Sequence, residues 1–308
     1  MDTDYDVIVV GGGGSGLAAA ASAAENGASV LLLEKQPHLG GTTGIAVGSF
    51  TANRTRLQAG AGIEDDLEAH VEDAGQFPAP EIEARNAAEL RRFFLSHSAE
   101  TLHWLMGMGL RFQGPNPEPP NRVPRMHNVV PGAKAYIATL QGKLLGQGGT
   151  ILCNTPVEEL VQKEGQIAGV VARVGDMPTQ FWVRQGVVLA AGDYTGSSDL
   201  IGRFKGNRFV PIEGINPHST GDGHRLAERV GAKLVNMDVT YGPEIRFVAP
   251  EGRTFQQLLP VRGPIAALMG RLVPRLPKWV MNALIRRLLV TWQHPEDALY
   301  EDGAILIN

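Results

Sequence analysis

The chain has 308 residues, of which 43% are hydrophobic and 19% charged, and its formal net charge is −4. This composition is ordinary for a globular protein and excludes extensive disorder, and the slightly acidic balance argues against nucleic acid as a partner. The single cysteine, Cys153, excludes a framework of internal disulfides and indicates a buried thiol in a reducing compartment. The acidic amino terminus has no basic segment of a leader, and no run of about twenty apolar residues follows, so we expect a cytoplasmic protein without a spanning helix.

The first twenty-five or so residues have the pattern of a strand, a phosphate-binding turn and a helix. Residues 5–10, which are apolar except for Asp6, predict a buried parallel strand, and the alanine-rich residues 17–25 predict a helix. Between them lies a glycine-rich motif at residues 11–16. In such a motif Gly11 permits the tight turn, Gly13 lets a pyrophosphate approach the backbone, and Gly16 lets the helix pack on the strand. The helix N-terminus then offers free N–H groups and a partial positive charge to the phosphates.

An acid at the end of the next strand completes the unit. Residues 28–33 predict a second buried strand, and Glu34 follows it, about twenty residues after the glycine motif. A carboxylate at this position accepts hydrogen bonds from ribose hydroxyls and repels a 2′-phosphate, which disfavours NADP. The sequence therefore predicts a bound dinucleotide, with NAD and FAD both open at this point.

A largely helical region follows. Residues 81–106 predict mostly helix, and residues 133–145 predict an amphipathic helix closed by glycines. Residues 114–124 are rich in proline and asparagine and predict an exposed loop. The first helical region contains an apolar stripe that we interpret as core packing: Leu90, Phe93, Phe94, Leu102, Leu105 and Met106.

After residue 150 the spacing of the apolar residues changes to one typical of strands. Short strands separated by turns predict a meander that ends in a buried strand over residues 186–192. Ser219 and Asp222 have the spacing of a capping box, which would open a helix with Leu226 and Val230 on its apolar face. The expected strands are residues 150–153, 157–161, 167–174, 179–183 and 187–191.

Taken together, these ordered motifs resemble the flavoprotein family of fumarate reductase and succinate dehydrogenase flavoprotein subunits. The family also includes 3-ketosteroid Δ1-dehydrogenases and related ene-reductases. The resemblance spans nearly the whole chain, and the Gly40-Gly41 pair, which lets backbone approach a cofactor closely, favours FAD over NAD. The motifs that carry it are residues 11–16, Glu34-Lys35, 40–43, Thr51-Ala52 with 62–65, Trp104-Leu105 before Gly109, 187–192, 220–223 and Gly231-Ala232.

The resemblance implies an α/β fold with a Rossmann-like FAD-binding domain, whose central parallel sheet carries a β-meander. We expect this domain over residues 1–245, with a helical excursion over 51–130. Residues 246–308 would begin a helical or mixed cap domain that binds substrate. The family's proton-donating arginine and tyrosines would fall after Asn308, so we expect the chain to be a fragment.

The resemblance also implies contacts with FAD. Ser15 would lie at the pyrophosphate turn, Glu34 on the adenosine ribose, and Val157 at the adenine through its backbone. The resemblance places Thr42, Thr43, Val47 and Gly48 beside the ribityl chain and the isoalloxazine ring. Thr42-Thr43 stands where an Asn-Ser or similar pair is common in the family, and Asp193 replaces a usual glycine. The expected cofactor-binding residues are Gly11, Gly13, Gly14, Ser15, Gly16, Glu34, Lys35, Gly40, Gly41, Thr42, Thr43, Val47, Gly48, Val157, Ala191, Gly192 and Asp222.

The implied activity is hydride transfer between flavin N5 and a CH–CH or C=C bond next to an electron-withdrawing group. The substrate would be a small molecule, ketosteroid-like or an enoate, and the apolar residues 255–292 favour a hydrophobic one; the electron donor or acceptor is open. Hydride transfer also needs a proton donor or acceptor, for which His294, Glu296 and Asp297 are candidates that a surface turn explains equally well. No histidine or cysteine pattern predicts a metal site.

Three alternatives stay open at this stage. The chain could be an NAD-dependent dehydrogenase or a catalytically incomplete flavin-binding fragment. The basic and apolar residues 271–287 could contact a membrane surface, although a cap helix with outward arginines is the simpler interpretation.

Overall fold

The computed structural model describes residues 3–240 and a few positions between 265 and 280. The expected cap over 246–308 and the candidates His294, Glu296 and Asp297 therefore lie outside the described residues, except for those few positions of the cap. The domain boundary near residue 245 stays a prediction for the same reason.

The centre of the fold is a six-stranded sheet in the order β6-β2-β1-β9-β8-β7. Strand β1 is central: Ile8 pairs in parallel with Leu31 on one side and with Val187 on the other. Strand β6 extends the parallel part beyond β2, while β7, β8 and β9 form the antiparallel meander. The strands are β1 Asp4–Val10, β2 Val30–Leu33, β6 Thr150–Leu152, β7 Val157–Lys163, β8 Gln166–Val174 and β9 Met177–Leu189. The predicted α/β fold, with a parallel centre and a meander, is confirmed.

Two details of the strand prediction are wrong. The separate strands expected over 179–183 and 187–191 are one strand, β9, whose first part pairs with β8 and whose second part pairs with β1. The polar residues Arg184 and Gln185 interrupt the apolar pattern, but β9 continues through them to pair with β1, with a register shift between Tyr5 and Val7. Residues 150–152 join the parallel sheet beside β2 and not the meander.

Both faces of this sheet are covered, which explains the continuous apolar runs in β1 and β2. Because successive side chains point to opposite faces, Val9 and Leu32 pack on one side with Leu17 of the first helix. Ile8 and Leu31 pack on the other side with Phe181, Leu226 and other buried residues.

Two helices cover one face of the sheet, the helix that carries Leu226 packs on the other face, and most of the remaining helices lie in the excursion between β2 and β6. Helix α1 spans Gly14–Glu25, and α7 spans Lys134–Gly146 as predicted. A small antiparallel sheet in the order β3-β5-β4 supports the excursion. The remaining elements are β3 Ser49–Thr51, α2 Arg56–Gly60, α3 Leu67–Ala74, α4 Pro80–Glu83, α5 Ala88–Ser96, α6 Ser98–Gly107, β4 Arg111–Asn116, β5 Met126–Val130, α8 Ser198–Phe204 and α9 Asp222–Arg229, with 3₁₀ turns at Thr42–Ile45 and Asn207–Phe209.

The predicted apolar stripe in this region is only half correct. Leu102 and Leu105 of α6 are buried, but Leu90, Phe93 and Phe94 of α5 are 66%, 64% and 67% exposed. Helical spacing identifies residues on one face but not which face meets the core. In α5 the outward face carries this apolar set, while Leu95 is buried.

The expected exposed loop over 114–124 is also wrong in part. Strand β4 continues to Asn116, and half of residues 117–124 are partly buried. Glu118 holds the segment down, because its carboxylate accepts hydrogen bonds from Thr51 Oγ1 at 2.8 Å and from Asn121 Nδ2 at 3.2 Å.

A buried ionic cluster joins α3 to the small sheet. Arg125, which is 0% exposed, precedes β5 and donates from Nη2 and Nε to Asp65 at 2.7 and 2.8 Å. It also donates from Nη1 to Asp73 of α3 at 2.5 Å. Both carboxylates have side chains 1% exposed, so this cluster is closed to solvent. Buried charges are tolerated only when paired in this way.

Candidate functional site

A cavity of about 760 Å³ opens at the carboxyl ends of the parallel strands. Val10, Leu33 and Leu189, the last residues of β1, β2 and β9, all line it. In open α/β sheets, ligands bind outside this edge of the sheet. The position of the cavity therefore follows from the sheet topology.

The glycine motif forms one wall of the cavity, and two of its glycines are required by the fold itself. Gly11 has φ +109°, and a Cβ there would lie 2.3 Å from the carbonyl oxygen of Ala190. A Cβ on Gly16 would lie 1.9 Å from the carbonyl oxygen of Gly11. Neither position can carry a side chain without moving backbone.

Gly13 differs, because a Cβ there would meet only Gly40 O at 3.9 Å. Its φ of −76° and ψ of −177° are open to any residue. Since Gly13 lines the cavity, the missing side chain leaves cavity space that a bound group can fill. This is the arrangement that close approach of a pyrophosphate to backbone requires.

We therefore expect Gly13→Ala to separate cofactor binding from folding. The variant should keep most of its stability, losing about 1 kcal/mol or less from an alanine at a helix N-cap. Its affinity for FAD should fall at least about tenfold, because the methyl group takes up space needed by the ligand. Urea unfolding of the apoprotein and equilibrium titration with FAD measure the two quantities. Unchanged FAD affinity would contradict this assignment of Gly13.

The N-terminus of α1 is suited to bind an anion. Its N-cap, Gly13, provides no side-chain acceptor, and the first turn contains no acidic residue. Thr43 Oγ1 accepts a hydrogen bond from Gly14 N at 3.3 Å, which brings the turn after β2 against this helix end. The helix dipole and the N–H groups of the first turn favour a phosphate here.

Glu34 is 8% exposed and lines the cavity at the end of β2. Its Oε2 accepts a hydrogen bond from Gly12 N at 2.6 Å, and its Oε1 accepts one from Gln36 N at 2.7 Å. Each carboxylate oxygen retains a second lone pair, so the anchored group can also accept from ribose hydroxyls. Next to it, burial and the Glu34 carboxylate raise the pKa of the partly buried Cys153, which therefore stays a thiol.

The wall of the cavity opposite Glu34 is formed by residues that follow it almost two hundred positions later in the sequence. Lys35 Nζ donates to Asp222 Oδ2 and to Thr220 Oγ1, both at 2.6 Å. The predicted capping box is wrong: the N-cap of α9 is Gly221, which has φ +74° and no side-chain cap. Asp222 instead pairs with Lys35 and faces the cavity.

A turn over residues 41–48 forms a third part of the wall. Thr42 and Ile45 line the cavity, and Asn216 Nδ2 donates to Thr42 Oγ1 at 3.1 Å. The structure thus brings together segments that are far apart in sequence. The expected cofactor residues that line the cavity are Gly11, Gly13, Gly14, Ser15, Glu34, Lys35, Gly41, Thr42, Thr43, Val157, Ala191, Gly192 and Asp222, whereas Gly16, Gly40, Val47 and Gly48 do not.

Several lining residues were missed by sequence reasoning. Gln36, Thr155 and His224 lie within two positions of predicted residues, so the same motifs, read slightly wider, would have included them. Asn216 and His218 follow no motif and are placed by the fold alone. The ring of His224 packs edge-on against Tyr194 with centroids 5.6 Å apart, and its buried Nδ1 has no hydrogen-bond partner among the described residues. In the described part of the chain, no group of three or more His, Cys, Asp or Glu side chains could hold a metal ion.

A family model described as FAD binding domain matches residues 6–285. The chain belongs to this family, and FAD is its cofactor; the glycine cradle, the helix end and the anchored Glu34 carboxylate fit that group. The prediction of FAD in preference to NAD is confirmed, while the contacts of individual residues with it stay predictions.

Curated and solved relatives support the same family. NADH:fumarate oxidoreductase of Klebsiella pneumoniae is 30% identical over 237 residues, which are 76% of this chain and 25% of that protein. The open conformation of a flavocytochrome c3 fumarate reductase is 28% identical with a TM-score of 0.68, covering 75% of this chain and 41% of that one. The 3-ketosteroid-Δ4-(5α)-dehydrogenase of Rhodococcus jostii in complex with 4-androstene-3,17-dione is 25% identical with a TM-score of 0.68, covering 77% and 56%. The chain thus spans less than two thirds of each relative.

Among the described residues, no helix combines the length and the hydrophobicity that crossing a bilayer would require.

Proposed function

We propose that this chain is the FAD-binding part of an oxidoreductase that acts on a CH–CH or C=C bond next to an electron-withdrawing group. The observation that carries the proposal is the convergence of three distant segments, at Gly13, Glu34 and Asp222, on one cavity at the carboxyl edge of the sheet. The names of the relatives, a fumarate oxidoreductase and a ketosteroid dehydrogenase, support this reaction class.

The residues of this chain have binding and positioning roles in the proposed reaction. The bound flavin supplies the hydride chemistry at N5. The end of α1 holds the diphosphate, the Glu34 carboxylate accepts from the ribose, and the Lys35–Asp222 pair fixes the opposite wall. Holding reactants in register is a large part of the rate enhancement in such reactions. The proton donor is sought outside the described residues, where His294, Glu296 and Asp297 stay candidates.

We further propose a hydrophobic substrate, ketosteroid-like in preference to a small dicarboxylate. On the turn that borders the cavity, Ile45 and Val47 are 58% and 44% exposed, and Ile215, next to the Asn216 that bonds this turn, is 41% exposed. Exposed apolar side chains that cluster near a cavity often belong to a binding surface. The apolar residues 255–292 agree with this choice in composition.

The test begins with the purified 308-residue chain. It should be yellow and release FAD on heating. The reduced protein, prepared anaerobically, should be reoxidised faster by 4-androstene-3,17-dione than by fumarate. If fumarate reoxidised the reduced protein and 4-androstene-3,17-dione did not, the proposal of a hydrophobic, ketosteroid-like substrate would be overturned. Bound FAD without turnover, even with an artificial electron donor, would favour the catalytically incomplete alternative.

The physiological electron partner is left open by the proposal, and artificial donors replace it in the test. Nucleic acid is not a proposed partner, and contact with a membrane surface is a secondary possibility that vesicle co-sedimentation checks. The expected cytoplasmic location stays a prediction, which fractionation of producing cells would examine.

A further inference from the structure

The turn over residues 41–48, between β2 and β3, borders the cavity through Thr42, Thr43 and Ile45. It begins at Gly41, which has φ +50°, and is tied near its start by the hydrogen bond from Asn216 to Thr42. The turn extends from the cavity wall to Gly48, so its position depends on how its far end is held.

Gly48 is that far end, and its backbone is held closely against the excursion. Its φ is +102°, and a Cβ would lie 2.6 Å from Val129 Cγ1 and 3.0 Å from Ala133 N. The Gly48 carbonyl accepts two hydrogen bonds, from Val129 N at 3.1 Å and from the Tyr136 hydroxyl at 3.0 Å. One donor belongs to β5 and the other to α7, so both supporting elements meet at one carbonyl oxygen.

Tyr136 is suited to this contact. Its side chain is buried with 8% exposure, and its ring packs against Phe112 with centroids 6.0 Å apart, which fixes the direction of the hydroxyl. Burial raises the pKa of Tyr136, so the hydroxyl keeps its proton and remains a donor. Tyr136 does not line the cavity itself, and any influence on a ligand is transmitted through Gly48.

We propose that Tyr136 is a positioning residue for the cofactor site: its hydroxyl fixes the Gly48 carbonyl and thereby sets the turn 41–48 against bound FAD. This inference rests on the FAD site of the proposed function. Without the hydroxyl, the carbonyl keeps only the Val129 donor, and the far end of the turn can shift relative to the cavity. The flavin then meets a less well-ordered wall.

Tyr136→Phe tests the proposal, with Tyr194→Phe as a matched control. Tyr194 is also buried, and its hydroxyl donates to the backbone carbonyl of Met237 and not to the turn. Its ring packs against His224 of the cavity wall, and phenylalanine keeps that ring, so the variant removes only the hydrogen bond to Met237. Both variants keep their rings, and both should lower the thermal midpoint by a similar few degrees. Only Tyr136→Phe should also raise the Kd for FAD, by about fivefold, the scale of one hydrogen bond. It alone should shift the flavin visible absorption maxima or the flavin midpoint potential.

The outcomes separate this inference from the proposed function. A wild-type chain that fails to bind FAD overturns the proposed function. A Tyr136→Phe variant with wild-type Kd, spectrum and potential shows that Tyr136 is merely structural and overturns the inference. Equal loss of FAD affinity in both variants also overturns it, because the effect would then be general destabilisation.

If Tyr136→Phe yields no folded protein, amide hydrogen exchange on the wild-type chain decides the matter. We expect FAD to slow exchange in residues 41–48 and in the adjoining residues 129–136 together. Slowed exchange at 41–44 without any change near Val129 and Tyr136 would show that the two are not coupled, and would overturn the inference.

Discussion

Gly16→Ala should abolish cofactor binding and strongly destabilise the fold. A Cβ at this position would lie 1.9 Å from the carbonyl oxygen of Gly11 and 3.3 Å from Ala190 Cβ, so α1 must move away from β1. Overpacking of this kind costs about 3 kcal/mol, and here the obstacle is backbone, which cannot rotate aside. Chemical unfolding of the apoprotein and titration with FAD should both register the change.

The control for Gly16→Ala is Gly60→Ala, at the last residue of α2. A Cβ there meets nothing within 4 Å. Alanine in a helix is more favourable than glycine, so the free energy of unfolding should rise, by less than about 1 kcal/mol. If the two variants unfold at the same denaturant concentration, the close contact at Gly16 is not what the structure describes.

The second large effect is expected at the buried ionic cluster. Arg125→Met removes the guanidinium group that bonds both Asp65 and Asp73, whose side chains are 1% exposed, and leaves Asp73 only its pairing with Arg122. Removing one member of a buried pair leaves unpaired charge in a dry environment and costs about 3 to 5 kcal/mol. Equilibrium unfolding in urea at neutral pH measures the loss.

The cost of Arg125→Met should depend on pH in a defined direction. Burial alone would raise the pKa of Asp73, but hydrogen bonds from the Arg122 backbone and the guanidinium groups of Arg125 and Arg122 outweigh it and lower the pKa to about 2. A carboxyl with a depressed folded pKa stabilises the wild type above its unfolded value of about 4, and this stability is lost as pH falls towards 2. In the variant the carboxyls gain from protonation, so the difference between the two proteins should shrink below about pH 4.

Arg92→Met is the matched control for this experiment. Arg92 pairs with Glu68 on the surface, where the two side chains are 53% and 59% exposed. Exposed pairs contribute little because solvent screens them, so the variant should unfold close to the wild type at every pH. A pH-independent cost for Arg125→Met, or an equal cost for the two variants, would contradict the account of the cluster.

The sequence correctly predicted those parts of the fold in which the local pattern of residues matches their place in the tertiary structure. The apolar runs before Gly11 and Glu34 had to be buried strands, and the glycines between strand and helix allowed one backbone path. The same residues predicted a dinucleotide site, and the cavity that they line lies where the parallel strands end. FAD was favoured over NAD on the strength of a resemblance and the Gly40-Gly41 pair, and the family match agrees.

The sequence was insufficient where a residue's partner is distant. Asp222 has the spacing of a local cap, yet it pairs with Lys35, which is 187 positions away. Arg125 gives no sign in the sequence that it is fully buried, because its partners Asp65 and Asp73 are brought to it only by tertiary packing. The exposed face of α5 was misassigned for a similar reason: helical spacing does not say which face another element will cover.

The position of strand β1 between β2 and β9 limits the order in which the sheet can fold during synthesis. One of its neighbours, β2, leaves the ribosome soon after it, but the other, β9, is made only when most of the described chain has been synthesised. Until then the innermost strand of the sheet carries an open edge of apolar character, the kind of surface on which nascent chains associate wrongly. Native assembly must therefore wait for a late segment, and protection by chaperones during translation should matter more for this protein than for one built from neighbouring hairpins.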